Sequence, residues 1–438
     1  MKRTYSENYL TRNPKALLSR FVKFAVNNRA VILAVLASII LLLFVISCLL
    51  VASDAHLSTT LAVHTKKILG PDGTAPSAPG VSAVSAVLMD AESGRVLYEK
   101  NAHEKLPIAS TTKMMTALVI REQLNLKDSV VISPEAASVG EQEIWLEPGE
   151  TLTVKDLLYA LMVQSANDAA YALAQYTTGS AQSFAKLMNM EAEKIGLRES
   201  HFTNPHGLDE PGHYSTAYDL AVIGRYLLED PVLAKMAAAK QYEIPWPDHP
   251  YPRTALSHNE FLDRYPGATG IKTGYTLKAG WCLVASARRE GKSLIAVVLN
   301  CEQRAADAGI LLDYGFSSTE RVVLARQGQS LGRTRVSAYP RRYVDVVPKE
   351  ELAALSVKGA GDVFEVKTDI ARAVQGSVKK GTTLGRIECT LNTSLIYTER
   401  VVAERKARKP GILVGIFVFI WYALCWMGRI IGAPFGLS

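Results

Sequence analysis

The chain has 438 residues, 48% of them apolar and 21% charged. At roughly 150 residues per domain this gives two to three domains, and the composition is neither disordered nor fibrous. The net charge of +7 belongs to the ends: residues 1–29 hold seven basic groups against one acidic, and residues 404–409 hold four against one. Without these and Arg429, 37 basic and 40 acidic groups remain, which argues against a nucleic-acid surface.

Ala30 to Ala52 is 23 residues without a charge. That is long enough to cross a hydrocarbon core, and Lys15, Arg20, Lys23 and Arg29 before it hold the N-terminus (1–29) inside. We read 30–52 as an uncleaved signal anchor, with Val51-Ala52-Ser53 passing as a cleavage site in the alternative. Residues 53–83 follow as a linker, marked by Gly70-Pro71-Asp72-Gly73 and Pro76-Ser77-Ala78-Pro79-Gly80.

Residues 84–318 mix strands and helices. Ser85 to Asp90 and Arg95 to Tyr98 read as paired strands around a turn. Thr111 to Glu122, Val154 to Val163, Asp168 to Gln175, Ala181 to Ile195 and Ala217 to Leu228 read as helices. Gly270 to Thr276, Trp281 to Arg288 and Ser293 to Asn300 read as strands, the last two joined at Arg289-Glu-Gly-Lys292. Together they predict an α/β (α+β) domain, a sheet flanked by helices. Residues 319–403 carry short, partly alternating runs such as Val363 to Lys367 and predict a small all-β domain. A basic cluster and a second apolar run, 411–428, close the chain within 404–438. That run either spans the bilayer or lies in its interface, against anionic lipid. Cys282, Cys301 and Cys389 fall in the folded body, with no CxxC or Cys/His cluster to suggest zinc. Cys282 and Cys301 are expected as buried thiols, because the hairpin register sets them about two residues apart.

Three short motifs carry chemistry. In Ser110-Thr-Thr-Lys113 a three-residue helical step puts hydroxyl and amine on one face, where a neutral lysine can take the serine's proton. Ser165-Ala-Asn167 lies in a break between helices, offering a hydroxyl and a carboxamide to a peptide. Lys272-Thr273-Gly274 lies on a strand, where a cation and a hydroxyl can hold a carboxylate and a glycine leaves room for a ligand backbone. Each motif alone is weak; the three in this order are strong. His206 or His213 as a serine-activating histidine is disfavoured, because Lys113 supplies a base and no G-x-S-x-G elbow is present. His206 and Asp219 are expected to tie down the Asn204–Tyr214 loop. Trp145 and Trp246 fit a cleft lining or the core equally.

The ordered S-x-x-K, S-x-N and K-T-G motifs resemble those of the penicillin-recognising serine acyl enzymes. Ile108-Ala-Ser-Thr-Thr-Lys-Met114, Gln164-Ser-Ala-Asn-Asp-Ala-Ala170, Asn204-Pro-His-Gly-Leu208 and Gly270-Ile-Lys-Thr-Gly-Tyr-Thr276 resemble the low-molecular-mass D-alanyl-D-alanine carboxypeptidases. The likeness spans about Val84 to Arg400; the N-terminal anchor departs from it. It implies Ser110 as nucleophile, Lys113 as general base and Ser165 as proton relay. It further implies Asn167, Lys272, Thr273 and Gly274 in substrate binding, and the backbone N–H groups of Ser110 and Tyr275 as oxyanion hole. It implies no metal or other cofactor. The partners would be peptidoglycan pentapeptide stems, β-lactams as acylating inhibitors and the lipid bilayer, not nucleic acid. The catalytic domain would stand outside the cell membrane. A transpeptidase or endopeptidase with the same site, and a penicillin sensor without turnover, remain alternatives. A class A β-lactamase is disfavoured, since no E-x-x-N stands between Asn167 and Lys272.

Overall fold

The computed structural model describes residues 61–74, 76–336, 343–374 and 376–407, with positions 38 and 420. Apart from those two positions, the apolar runs 30–52 and 411–428 lie outside the described residues. Among the described residues no helix is long and apolar enough to cross a membrane.

The longer elements are numbered in chain order. Strand β1 is Leu61–Leu69, β2 Ser85–Asp90 and β3 Val96–Lys100. Helices α1 (Lys113–Gln123), α2 (Val154–Tyr159), α3 (Asn167–Thr178), α4 (Ala181–Lys194) and α5 (Ala217–Glu229) follow. Then come β4 (Ala268–Thr276), β5 (Gly280–Arg289), β6 (Lys292–Leu299) and α6 (Arg304–Ser318). The five strands form an antiparallel sheet in the order β3-β2-β6-β5-β4, with β4 at the edge. Alternation along the central strands feeds two cores. Val87, Met89, Val284, Ile295 and Val297 face the helices α1 to α5, whereas Leu88, Leu283, Ala285, Leu294 and Ala296 face α6. The expected sheet flanked by helices is therefore observed. Arg289 pairs with Lys292, and Glu290 and Gly291 at positive φ complete the tight hairpin turn. Cys282 and Cys301 are free buried thiols, Cys301 Sγ donating to Asp307 Oδ2 at 3.1 Å.

The second domain holds β7 (Thr319–Ala325), β8 (Gly332–Val336), β9 (Tyr343–Pro348), β10 (Leu352–Val357), β11 (Val363–Ala371), β12 (Thr383–Leu391) and β13 (Ser394–Ala403). Its main sheet runs β1-β11-β12-β13-β9-β8, closed by a short strand at Ala373–Val374. Two sequence boundaries need correction. The segment read as a linker contains β1, which pairs with β11 from Leu61↔Ala371 to Leu69↔Val363. The all-β domain also extends past residue 403, because buried Ala407 bridges to Val378.

The register gives this sheet two different ends. Leu69, Val363, Leu391 and Ser394 lie at one end; Leu61, Ala371, Gly385 and Val401 lie at the other. The first end meets the catalytic domain. There Arg95 donates to both carboxylate oxygens of Asp362, at 2.5 and 3.1 Å, and to Leu355 O. Asp362 also accepts from Ser356 Oγ, Val357 N and Asn392 Nδ2. Burial alone would raise the Asp362 pKa, but the bonds from Arg95 and Ser356 outweigh it and hold the carboxyl below its ordinary range.

Removing Arg95 leaves a buried carboxylate without its cation. Arg95→Ala is expected to destabilise the fold by about 3 kcal/mol. The exposed Arg333–Asp345 pair is expected to be worth less than about 1 kcal/mol. Denaturant midpoints of Arg95→Ala and Arg333→Ala at pH 7 check this. The Arg95 contribution is fully present above about pH 4 and fades as the pH falls through the lowered Asp362 pKa.

Candidate active site

Ser110 lies in a 3-10 turn, Ala109–Thr112, that leads into α1. Ala109 takes a left-handed φ of 48°. The turn is braced by Thr112 Oγ1, which donates to Ala109 O and meets His213 Nε2 at 2.8 Å. Two glycines let neighbouring backbones close on it. A Cβ on Gly207, at φ +87°, would stand 2.0 Å from Ala109 O. A Cβ on Gly274 would stand 3.0 Å from Ile108 O and 3.1 Å from Ser110 N. Gly274 was expected to make room for a ligand. In the structure the missing Cβ lets edge strand β4 lie against the Ser110 turn.

Lys113, fully buried, occupies the centre. Its Nζ is 2.8 Å from Ser110 Oγ, 2.7 Å from Asn167 Oδ1 and 2.7 Å from the His206 carbonyl. Burial pushes its pKa well below the usual lysine value and the Lys272 cation adds to this; Asp168 and Glu141 act the other way.

The second motif was read as a loop after a helix running to Val163. The regular helix stops at Tyr159, and a π-helical turn, Ala160–Gln164, delivers Ser165 in the left-handed conformation at φ 64°. Ser165 is buried, and its Oγ has no hydrogen-bond partner among the described residues. Asn167 opens α3 and is already committed at both ends. Oδ1 accepts from Lys113, and Nδ2 donates to Gly140 O at 3.0 Å. One N–H of the carboxamide remains for a substrate.

On β4, Lys272 and Thr273 are buried. Lys272 Nζ donates only to Thr273 O, and no carboxylate pairs with it among the described residues. Burial, with Arg304 nearby, lowers its pKa to about 7. Arg304, which sequence reasoning missed, donates to Gly274 O and stacks on the exposed Trp281 ring. A buried unpaired lysine, a free hydroxyl and a second cation make a receptor for an anion. The signal for Arg304 was absent from the motifs, because α6 brings it in from 32 residues downstream.

The histidines are structural. Burial lowers His206 to about 3 and His213 to about 4, so both are neutral. His206 Nδ1 accepts from Leu208 N, and only its backbone carbonyl reaches the site. The 204–214 loop is tied by Asn204, which accepts from Gly207 N and donates to Leu208 O. Asp219, expected to hold that loop, instead accepts from Glu199 N and Ser200 Oγ. Trp145 is 64% exposed, and Trp246 is half-buried.

Comparison with known proteins gives the family. The D-alanyl-D-alanine carboxypeptidase family profile matches residues 72–303. The chain belongs to that family. A second profile, the penicillin-binding protein 5 C-terminal domain, matches residues 320–409. The D-alanyl-D-alanine carboxypeptidase DacF of Bacillus subtilis is 35% identical over 353 residues, 78% of this chain and 90% of that protein. Penicillin-binding protein 5 of Haemophilus influenzae superposes with a TM-score of 0.58 at 28% identity, over 77% of this chain and all of that one. A Streptococcus pneumoniae peptidoglycan synthesis regulatory factor, PBP3, gives 0.63 at 25% identity, over 75% and 100%. The fold is thus the penicillin-binding protein fold, an α/β core followed by a β domain. The enzyme is a serine-type D-alanyl-D-alanine carboxypeptidase. Its family acts on peptidoglycan stem peptides through a serine acyl-enzyme and binds β-lactams.

Gly274→Ala is expected to push β4 off the Ser110 turn. Displacements of this order cost roughly 10- to 100-fold in rate. The acylation rate with labelled penicillin should fall by about that factor, with thermal melting little changed.

Proposed function

We propose the following division of labour for the carboxypeptidase reaction. Ser110 Oγ is the nucleophile and attacks the carbonyl between the two terminal D-alanines. Lys113 is its base. The observation that carries this is the set of three contacts at Nζ. Asn167 Oδ1 and the His206 carbonyl can only accept, so a neutral amine gives each one N–H and turns its lone pair to the Ser110 hydroxyl. The lowered pKa makes that neutral form accessible.

The remaining groups follow the charge. Lys272, Thr273 and Arg304 hold the terminal carboxylate. The Ser110 and Tyr275 backbone N–H groups face the developing oxyanion, each such donor contributing about 3–4 kcal/mol. Ser165, with its hydroxyl free, passes the proton to the departing D-alanine amine. Water then hydrolyses the ester on Ser110 and regenerates the free hydroxyl. Asn167 keeps one N–H for the peptide on the acyl side.

The test is release of D-alanine from diacetyl-L-lysyl-D-alanyl-D-alanine by the full chain, with EDTA present. Ser110→Ala should abolish both release and penicillin acylation. Acylation without release, relieved by an added amine acceptor, would favour transpeptidation. The pH profile has a definite sign. Lys272 loses its charge as the pH rises through about 7. kcat/KM, which reports the free enzyme, should therefore fall above pH 7. In kcat this limb moves to higher pH, because bound carboxylate stabilises the cation. Lys272→Arg should remove the limb from kcat/KM.

We further propose that both apolar segments, 30–52 and 411–428, attach the protein to the membrane with the catalytic domain outside. The support is the sheet register. The chain enters β1 at Leu61 and leaves β13 near Ala403, at the end of the sheet opposite the Arg95–Asp362 junction. The nine residues of β1 span about 30 Å at roughly 3.3 Å per residue. That far end exposes Arg372, Lys379, Lys380, Arg405 and Lys406, which suits anionic lipid. Fluorophores on Lys380→Cys and Leu277→Cys, in the full chain in vesicles with lipid-borne quencher, separate the two ends. Strong quenching at 380 and none at 277 is expected; equal quenching overturns the orientation.

A further inference from the structure

The loop Gly140–Glu147 is pinned to the site by consecutive residues of α3. Asn167 donates from its backbone N–H to Gln142 O at 2.6 Å and from Nδ2 to Gly140 O at 3.0 Å. The residues on both sides of Glu141 are therefore fixed to one residue, Asn167, by its backbone and its side chain, and that side chain also touches Lys113. Asp168 accepts from Ile144 N and Leu146 N, at 3.1 Å each, which fixes both sides of Trp145. Arg253 Nη2 donates to Trp145 O at 2.9 Å and pairs with Glu150.

The two residues so framed are both left-handed, Glu141 at φ 60° and Trp145 at φ 56°. Both side chains are exposed. Glu141 forms no ion pair or hydrogen bond among the described residues, yet its charge is felt at Lys113. The charged groups facing the cleft are thus distributed. Lys272 and Arg304 are the cations on the side of the leaving D-alanine, Lys113 is the buried amine at the centre, and Asp168 is buried beneath the loop. Among the described residues Glu141 and Glu143 are both carboxylates of this loop without an ion pair or hydrogen bond; Glu143 acts on Asp168, and Glu141 is the one whose charge reaches Lys113, with an indole four residues away.

A stem peptide has matching chemistry. It carries a carboxylate at its end and, two residues before the scissile bond's leaving group, a diamino acid with an aliphatic side chain. We propose that Glu141 and Trp145 read that side chain, Glu141 pairing with its free terminal amine and the Trp145 indole covering its methylenes and cation. This specificity subsite rests on the carboxypeptidase reading above.

The test compares two substrates with the full chain: Nα-acetyl-L-lysyl-D-alanyl-D-alanine, whose side-chain amine is free, and its Nα,Nε-diacetyl counterpart. The wild type should favour the free amine by about five- to tenfold in kcat/KM, the size of a partly desolvated charge pair, with the difference in KM. Glu141→Gln should bring the ratio close to one. Glu141→Lys should invert it and favour an Nε-succinyl peptide, which a misfolded variant cannot do. Trp145→Ala should lower kcat/KM for the free-amine peptide severalfold, and Trp145→Phe should restore most of it. Equal use of both peptides by the wild type, or a preference that survives Glu141→Gln, overturns the subsite and leaves the carboxypeptidase reading standing. Release from neither peptide overturns both.

Discussion

A single buried amine sets the terms for this active site. Lys113 is out of water, and among the described residues no carboxylate touches it; its three near neighbours are a hydroxyl, a carboxamide oxygen and a peptide carbonyl. A permanently charged ammonium would be poorly compensated there, since such acceptors carry only partial charge. The site therefore favours the neutral amine, the form that can take a proton from Ser110. The other motifs follow from keeping it so. Asn167 and the His206 carbonyl position Nζ, and Lys272 adds a repelling field from β4. In the proposed reaction Lys272 has to remain partly charged to hold a carboxylate, while burial and Arg304 lower its proton affinity. The two lysines are linked electrostatically, Lys272 discouraging the proton on Lys113 while burial and Arg304 discourage its own.

Holding that amine in place strains the backbone around it. Ala109, Glu141, Trp145 and Ser165 all adopt positive φ without being glycine. Each such residue costs on the order of 1 kcal/mol or more, and persists only where neighbours fix it. Those neighbours are visible. Thr112 and His213 hold the turn at Ala109, the π-helical turn presents Ser165, and Asn167 with Asp168 pins the loop bearing Glu141 and Trp145. Asp168 supports that loop at the expense of its own acidity, since burial raises its pKa to about 6 despite three backbone amides. A carboxylate accepting from three backbone N–H groups in a dry site is a costly brace, reasonable only where the loop it fixes matters.

The sequence made the chemistry legible because each motif is local. Ser110 and Lys113 are one helical turn apart, so their meeting needs no tertiary knowledge. The sheet strands were legible from alternation and the Glu290-Gly291 turn. What escaped was long-range. Strand β1 was hidden by the Gly- and Pro-rich stretch after it, and its partner β11 lies some 300 residues away. Arg304 and the His206 carbonyl carry no sequence mark, because one is brought in by a helix and the other is backbone. The end of α2 was misplaced by four residues, since a π-helical turn keeps the apolar spacing of a helix while changing its register. Gly274 was read as a close approach at a strand edge, and the approach seen in the structure is that of the Ser110 turn.

The placement of β1 alters how the two domains depend on one another. A strand that precedes the catalytic domain completes the sheet of the domain that follows it, so the β domain cannot close until both flanks of the catalytic domain exist. Gly70 N donates to Asp362 O where β1 ends, beside the carboxylate that receives Arg95. Chain entry, sheet edge and interdomain ion pair thus converge on one residue. Pulling on either end of the chain loads the β sheet along its strands rather than opening the catalytic domain, because both ends leave from the far side of that sheet. Shear along antiparallel strands works against many backbone hydrogen bonds at once. The spacing between the two ends of the molecule is therefore set by the rigid length of β1 and β11, not by a flexible tether.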